Sequence, residues 1–467
     1  MIGPRPAAVE SYLMFQRYFD EGLAQSSFLI GCDRTKQAVV IDPRRDAAIY
    51  VAAARHEGFN LVGAIETHIH ADFVSGAHEL HAAGVRVIGG PGSHLDYPHT
   101  EATDGQHDTF GDLSLTFLAT PGHTPEHIAV RADLPGSPTR LFTGDLLFVG
   151  AVGRPDLLGS SQTSRLAHDL FHSLRRVMTL GDDVEVHPGH GAGSLCGAGI
   201  GKEPYSTIGR ERNHNPMLRY EDADTFANAV LSDLPETPPY FVRMKRINRE
   251  GPALRGLVAD PPPPPALRPA AAAMLVADGA VLLDLRPGEA FAAEHPAGAL
   301  NFAYGPKIGY WAGWILPPDS PIILLADQPA HAREAMLQLL RVGIDRVEGF
   351  VEGGIAGWRG ATLPTASTSR LSAADLRTAL AHRDEVRILD VRTVKEWKEG
   401  HIDGAMNIPL GELSERIADL PADKTIVTIC EAGYRSSLAA SILEREGIPQ
   451  VANVTGGMNA YRALEAT

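Results

Sequence analysis

Part of this chain is present twice. Residues 281–303 (VLLDLRPGEAFAAEHPAGALNFA) align with residues 387–409 (RILDVRTVKEWKEGHIDGAMNIP). Asp284 falls on Asp390, Arg286 on Arg392, His295 on His401, Gly298 on Gly404 and Asn301 on Asn407, each 106 residues on. Further along, Gly353-Gly354 meets Gly456-Gly457 at an offset of 103, so a three-residue gap lies between the two matches. Two copies of one apolar pattern must bury the same faces, so the repeat constrains the fold first. Each copy alternates apolar runs of strand length (VLLDL, IILLA; RILDV, TIVTI) with helical patterns. That alternation implies a small parallel sheet covered on both faces.

At 467 residues, and about 150 residues per domain, the chain has room for three domains. Asp260 is followed by five prolines, Pro261 to Pro265. Such a run is a stiff polyproline II spacer. A softer boundary lies in the polar stretch TLPTASTS (362–369), just before a capped helix start at Ser372-Ala-Ala-Asp375. The expected organisation is a first domain over 1–258, a proline-rich linker over 259–269, one repeat copy over 270–365 and the other over 370–467. The first domain reads differently from the repeats. Strands such as SSFLIG, AVVID, LVGAIET, VRVIG, LSLTFLA and RLFTGD follow in quick succession, with helical patterns at 46–57, 73–84 and 163–180. Many strands with few helices imply stacked sheets flanked by helices, an αββα layering. The fold class expected is a multidomain α+β and α/β chain.

Composition narrows the function. With 44% apolar and 21% charged residues, the chain has the make-up of folded globular domains. No run reaches the roughly 18 to 20 apolar residues of a bilayer span. A net charge of −15 argues against general nucleic-acid binding and against anionic membrane surfaces. The N-terminus has neither a basic flank before an apolar block nor a transit pattern. Three cysteines, Cys32, Cys196 and Cys430, lie too far apart in sequence for a disulfide framework. A reducing, cytoplasmic location is expected, with no nucleic-acid or membrane partner. Cys32, inside the apolar pattern FLIGC, reads as core.

Four fragments in the first domain carry potential metal ligands, each beyond a strand-like run: Thr67-His68-Ile69-His70-Ala71-Asp72-Phe73, Pro121-Gly122-His123-Thr124, Thr143-Gly144-Asp145 and His187-Pro188-Gly189-His190-Gly191. Imidazole and carboxylate suit borderline divalent metals. Singly, each fragment is an ordinary surface histidine or Gly-Asp turn; four in order point to a metal site. They resemble the metallo-β-lactamase superfamily, over essentially all of residues 10–250. The superfamily pattern HxHxDH appears here as HxHxDF. Phe73 has no lone pair, which puts a two-metal hydrolase in doubt and favours a mononuclear site. LFTGDLLFVGAVGRPD (141–156) and HGAGSLCG (190–197) are similar to the signature of persulfide dioxygenases. That resemblance implies one iron(II) per chain held by His68, His123 and Asp145, the two-histidine, one-carboxylate set of non-haem iron oxygenases. His70, Asp72 and His190 are then near-site residues. Arg154 is a candidate to hold a substrate carboxylate, or else a structural ion pair with Asp156. Cys196 is a thiol near a cavity mouth or a small residue packed in a tight loop.

In the last segment an apolar strand (TIVTI) ends at Cys430, and a short loop leads into a helix. Backbone N–H groups and the helix dipole there stabilise a thiolate or a persulfide anion, and Arg435 adds positive charge. The loop Cys430-Glu431-Ala432-Gly433-Tyr434-Arg435 resembles the active-site loop of rhodanese sulfurtransferases. The middle copy resembles the same fold without its chemistry: at the later offset of 103, Asp327 falls on Cys430. Together the three domains resemble persulfide dioxygenase–rhodanese fusions. The implied activity is oxidation of a low-molecular-weight thiol persulfide, such as glutathione persulfide, by O₂ to sulfite and thiol, joined to sulfur transfer with thiosulfate or sulfite through a Cys430 persulfide. The resemblance also implies a homo-oligomer, dimer or tetramer. Two alternatives stand beside it: a glyoxalase II-like zinc thioesterase with accessory rhodanese domains, and a non-catalytic sulfur-carrier protein.

Overall fold

The computed structural model describes residues 13–382 and 385–465. The reading of the N-terminus for targeting signals falls partly outside them, at residues 1–12. Of the described residues, those up to 261 together with 340–343 form one compact unit, and those over 262–339 and from 344 onward form another, so the boundary falls inside the proline run. Among the described residues no helix is long and apolar enough to cross a membrane.

The first unit holds two six-stranded sheets. One runs in chain order from Leu13–Asp20 and Gln25–Cys32 through Gln37–Ile41, Asn60–Ile65 and Arg86–Gly89 to Thr100–Glu101. The other runs Ser206–Thr207, Glu185–Pro188, Arg140–Gly144, Ile128–Asp133, Leu113–Ala119, His107–Phe110. Strand alternation decides which side chains meet between the sheets. Phe28, Ile30, Val39 and Ile41 of the first face Leu115, Phe117, Val130 and Phe142 of the second in one buried core. The opposite faces are covered by helices. Tyr50 and Leu80, from Ala48–His56 and Ala77–Ala82, pack on Leu29, Val40 and Val87. Leu170, Leu174 and Phe226, from Ser160–Val177 and Ala223–Ser232, pack on Leu141 and Val186. This is the αββα layering. Cys32 lies in the inter-sheet core.

In the second unit each repeat copy forms a five-stranded parallel sheet of the same order. The middle copy runs Ala266–Leu267, Val347–Val351, Ile322–Leu325, Val281–Asp284, Leu300–Asn301. The last copy runs Ser369–Leu371, Val451–Val454, Thr425–Ile429, Val386–Asp390, Met406–Asn407. The helix at Ala373–Ala379 opens with the expected cap, a reciprocal pair of hydrogen bonds between Ser372 and Asp375.

Three expectations are corrected. The linker does not extend to residue 269, because Ala266–Leu267 pairs in parallel with Phe350 and Val351 and Pro269 opens the helix Pro269–Ala277. Proline suits a first helical position, where the missing N–H would have no intrahelical partner. At the second boundary, Thr365–Ala366 pairs with His295–Pro296 of the middle copy, and the last copy's first strand starts at Ser369, not 370. Lastly, strand register places Asp284 opposite Leu325 and Asp390 opposite Ile429. Ala326, not Asp327, therefore takes the place of Cys430. The glycine pairs agree: a Cβ on Gly354 would meet the Ala326 carbonyl, as one on Gly457 would meet that of Cys430. Between strand and helix the middle copy has three residues (326–328) where the last copy has four (430–433), so the offset is 104 at the strand ends, 105 at the helix starts and 103 only at the glycine pair further on.

Candidate metal centre and sulfur-transfer loop

His68, His123, Asp145 and His190 each lie just past a strand: Asn60–Ile65, Leu113–Ala119, Arg140–Gly144 and Glu185–Pro188. Gly144 has φ +46°, and a Cβ there would come within 2.6 Å of Thr67 Oγ1 and 2.7 Å of His127 Nε2. Only glycine can turn the chain this tightly against those two side chains. Asp145 Oδ2 lies 3.4 Å from His123 Nε2 and 3.8 Å from His68 Nε2. All three atoms are buried, and none has a hydrogen-bond partner among the described residues. Donors about 2.0–2.2 Å from one ion stand roughly 3–3.5 Å apart, so the observed spacings are close to those of a shared ligand set.

The remaining ring nitrogens fix the tautomers. His123 Nδ1 lies 2.7 Å from the Arg154 carbonyl, which can only accept, so Nδ1 carries the proton and Nε2 the lone pair. His68 Nδ1 lies 2.9 Å from Thr67 Oγ1, whose own proton goes to Asp42 Oδ2, so the same holds there. Burial pushes both imidazoles below their ordinary range. Neutral imidazole is the form that binds metal. Burial alone would raise the Asp145 carboxyl, but His190, charged and hydrogen-bonded to it, holds it well below.

His190 does not offer a lone pair. Its Nδ1 lies 2.7 Å from Asp145 Oδ1 and its Nε2 2.8 Å from Asp72 Oδ2. Burial would lower its pKa, but the two carboxylates raise it well above the ordinary value. Asp72, His190 and Cys196 also come together, yet both ring nitrogens of His190 are engaged by carboxylates. His70 bonds Asp42 Oδ1 through Nε2 (3.2 Å), and the Phe73 ring packs on it at 4.4 Å. His187 turns away to Glu185.

Arg154 is buried and bidentate to Asp156, both contacts 2.8 Å, and also bonds the Leu195 carbonyl and Thr237. Of its two readings, the structural ion pair is the one its contacts show; four of its five N–H groups are engaged, leaving one, too few for a bidentate hold on a substrate carboxylate. Cys196 is buried against Phe148 and Ala151, and burial, with the charges of Asp72 and Asp145, pushes its thiol well up.

Sequence reasoning missed the residues that hold this loop set. His127 Nε2 accepts the Asp145 N–H at 3.1 Å, with Nδ1 on Thr120 Oγ1, and burial brings its pKa down to about 3. Asn248, on the helix Tyr240–Glu250, donates to the carbonyls of His70 and Phe73 and accepts the Ser75 N–H. His127, four residues past His123, was at least visible as a further histidine; Asp42 and Asn248 carry no sequence signal.

In the last copy Cys430 follows the strand Thr425–Ile429, and Gly433 precedes the helix Tyr434–Arg445. The Gly433 N–H donates to Cys430 Sγ at 3.1 Å, and Ser436 Oγ lies 3.4 Å from the sulfur. The charge expected from Arg435 arrives as an ion pair, because its guanidinium is bidentate to Glu396 at 2.7 and 2.6 Å. Glu431 bridges the exposed Arg462 and the buried Arg392, while Tyr434 is half-buried with its hydroxyl enclosed.

The Metallo-beta-lactamase superfamily matches residues 20–190, and the Rhodanese-like domain matches residues 268–361 and 372–464. A crystal structure of a metallo-beta-lactamase from Staphylococcus aureus subsp. aureus COL is 33% identical, with TM-score 0.63, covering 73% of this chain and 98% of that one. The chain belongs to the metallo-beta-lactamase superfamily. Two rhodanese-like domains follow its metallo-beta-lactamase domain in tandem. Hydroxyacylglutathione hydrolase of Tolumonas auensis is 34% identical over 171 residues, 36% of this chain and 62% of the hydrolase. This chain thus spans less than two thirds of that relative. The human mitochondrial persulfide dioxygenase ETHE1 is 28% identical over 214 residues, 44% of this chain and 76% of the dioxygenase. The metallo-beta-lactamase fold binds metal, and the buried atoms of His68, His123 and Asp145 that lack hydrogen-bond partners among the described residues fit that property.

Proposed function

We propose that this protein is a mononuclear iron(II) persulfide dioxygenase fused to a rhodanese sulfurtransferase. The observation that carries this reading is the ligand count. His68, His123 and Asp145 offer three free donor atoms, while His190 has both nitrogens engaged by carboxylates and Phe73 offers none. Three donors on one ion leave positions open, which O₂ chemistry requires.

Bound iron(II) would supply affinity for sulfur and electron transfer to O₂, with RSSH + O₂ + H₂O giving RSH and sulfurous acid. The chain's residues supply the rest. Asp42 and Thr67 set the His68 tautomer, the Arg154 carbonyl sets that of His123, and His190 holds Asp145 by the oxygen that does not face the histidines. In the last domain the Cys430 thiolate attacks the outer sulfur of thiosulfate. The S–S bond breaks, sulfite leaves with the electron pair, and a Cys430 persulfide remains. The Gly433 N–H offers a donor to that sulfur. A thiol then takes the terminal sulfur as its own persulfide and restores the Cys430 thiolate.

The similarity to hydroxyacylglutathione hydrolases favours a second reading, a zinc thioesterase. One experiment separates the two. Anaerobically iron-loaded protein is given glutathione persulfide or coenzyme A persulfide while O₂ uptake and sulfite are followed, beside hydrolysis of a glutathione thioester by zinc-loaded protein. Oxygen uptake with sulfite release supports the dioxygenase; thioester hydrolysis with two tightly held zincs and no oxygen uptake overturns it.

A further inference from the structure

The helix that follows Cys430 is buried from Ser436 to Leu443, and three of those eight residues are serines. Serine is a poor choice for a buried helix face unless its hydroxyl has a partner. Ser436 Oγ approaches Cys430 Sγ. The other two reach the cysteine-less copy. Ser437 Oγ donates to Asn301 Oδ1 at 2.6 Å, and Ser441 Oγ accepts the Asn301 backbone N–H at 3.0 Å.

Asn301 is one of the repeated positions. In both copies this asparagine spends its amide N–H groups on its own domain. Asn301 Nδ2 bonds the carbonyls of Asp284 and Arg286, and Asn407 Nδ2 those of Asp390 and Arg392. Oδ1 is left to accept elsewhere, and in the middle copy it accepts Ser437. Gly288 makes the room, since a Cβ there would come within 2.8 Å of Ser437 Oγ. From Ser437 the connection continues to the sulfur. The Ser437 N–H donates to the Gly433 carbonyl at 3.1 Å, and the Gly433 N–H donates to Cys430 Sγ.

We propose that Asn301 is a positioning residue for the sulfur-transfer loop of the other copy, so that the cysteine-less domain acts as a brace on the catalytic helix. The inference rests on the sulfurtransferase reading of Cys430. Ser441 supplies the control, because it meets the same asparagine one helical turn further from the loop.

The test compares Ser437→Ala and Ser441→Ala in the full chain. Three quantities are read: melting temperature, thiosulfate:cyanide sulfurtransfer, and the alkylation rate of Cys430 by iodoacetamide, followed by peptide mass spectrometry. Loss of one hydrogen bond that positions the reacting group is worth about fivefold in rate. Ser437→Ala is expected to lower kcat by about that factor and to change the alkylation rate by roughly threefold or more. Ser441→Ala is expected to leave both within about twofold, although its melting temperature falls as much. Equal kinetic effects in the two variants, or unchanged rates in Ser437→Ala, would overturn the brace. If the unaltered protein transfers no sulfur, the sulfurtransferase reading falls and the alkylation rates alone decide the brace.

Discussion

Nδ1 of His190 lies 2.7 Å from Oδ1 of Asp145, on the opposite side of the carboxylate from the oxygen that faces His68 and His123. Asp145 is thereby held by one oxygen and free at the other. Elemental analysis should find one metal per chain, lost in His68→Ala and in Asp145→Ala. His190→Ala should still fill at saturating metal, with affinity about 10–100-fold weaker because a group orienting a ligand is gone. Two tightly held metals in the unaltered protein would contradict the ligand count.

Gly457 has φ +58°, and a Cβ there would meet the Cys430 carbonyl at 2.2 Å. Gly457→Ala should lose about 1–3 kcal/mol of stability from backbone strain and should displace the loop, at a cost of about 100-fold in sulfurtransfer. Gly447 has φ +82° with nothing within 4 Å of the added atom. Gly447→Ala should carry the strain alone, with a lower melting temperature and near-normal turnover.

The Ala326 register has its own consequence. Placing a cysteine there, as Ala326→Cys with Cys430→Ser, should not produce a second sulfurtransferase. The loop is one residue shorter than that of Cys430, and Pro329 opens its helix without an N–H to offer. Asp327→Cys with Cys430→Ser should fail for the same reason. Robust cyanide-dependent turnover in either double variant would show that the cysteine alone was missing.

Glu396 accepts from Arg435 and from Thr393 at the start of its own helix. Burial would raise its carboxyl, but Arg435 brings it down to about 2 from an ordinary 4.5. A depressed folded-state value stabilises above the unfolded value and is lost as pH falls through the folded one. The melting temperature should therefore fall between about pH 4.5 and pH 2. In Glu396→Gln that part of the decline should be absent. The difference between the two proteins should be widest near neutrality and close to nil near pH 2.

The strands were legible in the sequence because FLI, AVV and VLLDL are runs too apolar and too short for anything but buried strands. Ala266–Leu267 was hidden because prolines on both sides masked a pairing that needs only two residues. The shift from Asp327 to Ala326 has a similar origin. A repeat alignment gives the total gap between two matched segments but not where each deleted residue falls; strand register does. At the candidate metal centre, residues in fragments beyond strands were readable as candidate ligands. Arg154 was ambiguous because an arginine two residues before an aspartate fits either role. Asn248 was not readable at all, since it reaches His70 from 178 positions away.

Two nitrogens and an oxygen, all buried and without hydrogen-bond partners among the described residues, bear on how the first unit folds and persists. Each desolvated polar atom left unpaired costs about 1–3 kcal/mol, against a total stability of about 5–15 kcal/mol for a typical domain. A newly made chain that has not met its metal therefore carries a large share of its stability as debt at His68, His123 and Asp145. Such a chain opens more often and is exposed longer to proteolysis. The amount of this protein in a cell should then follow metal supply as well as synthesis.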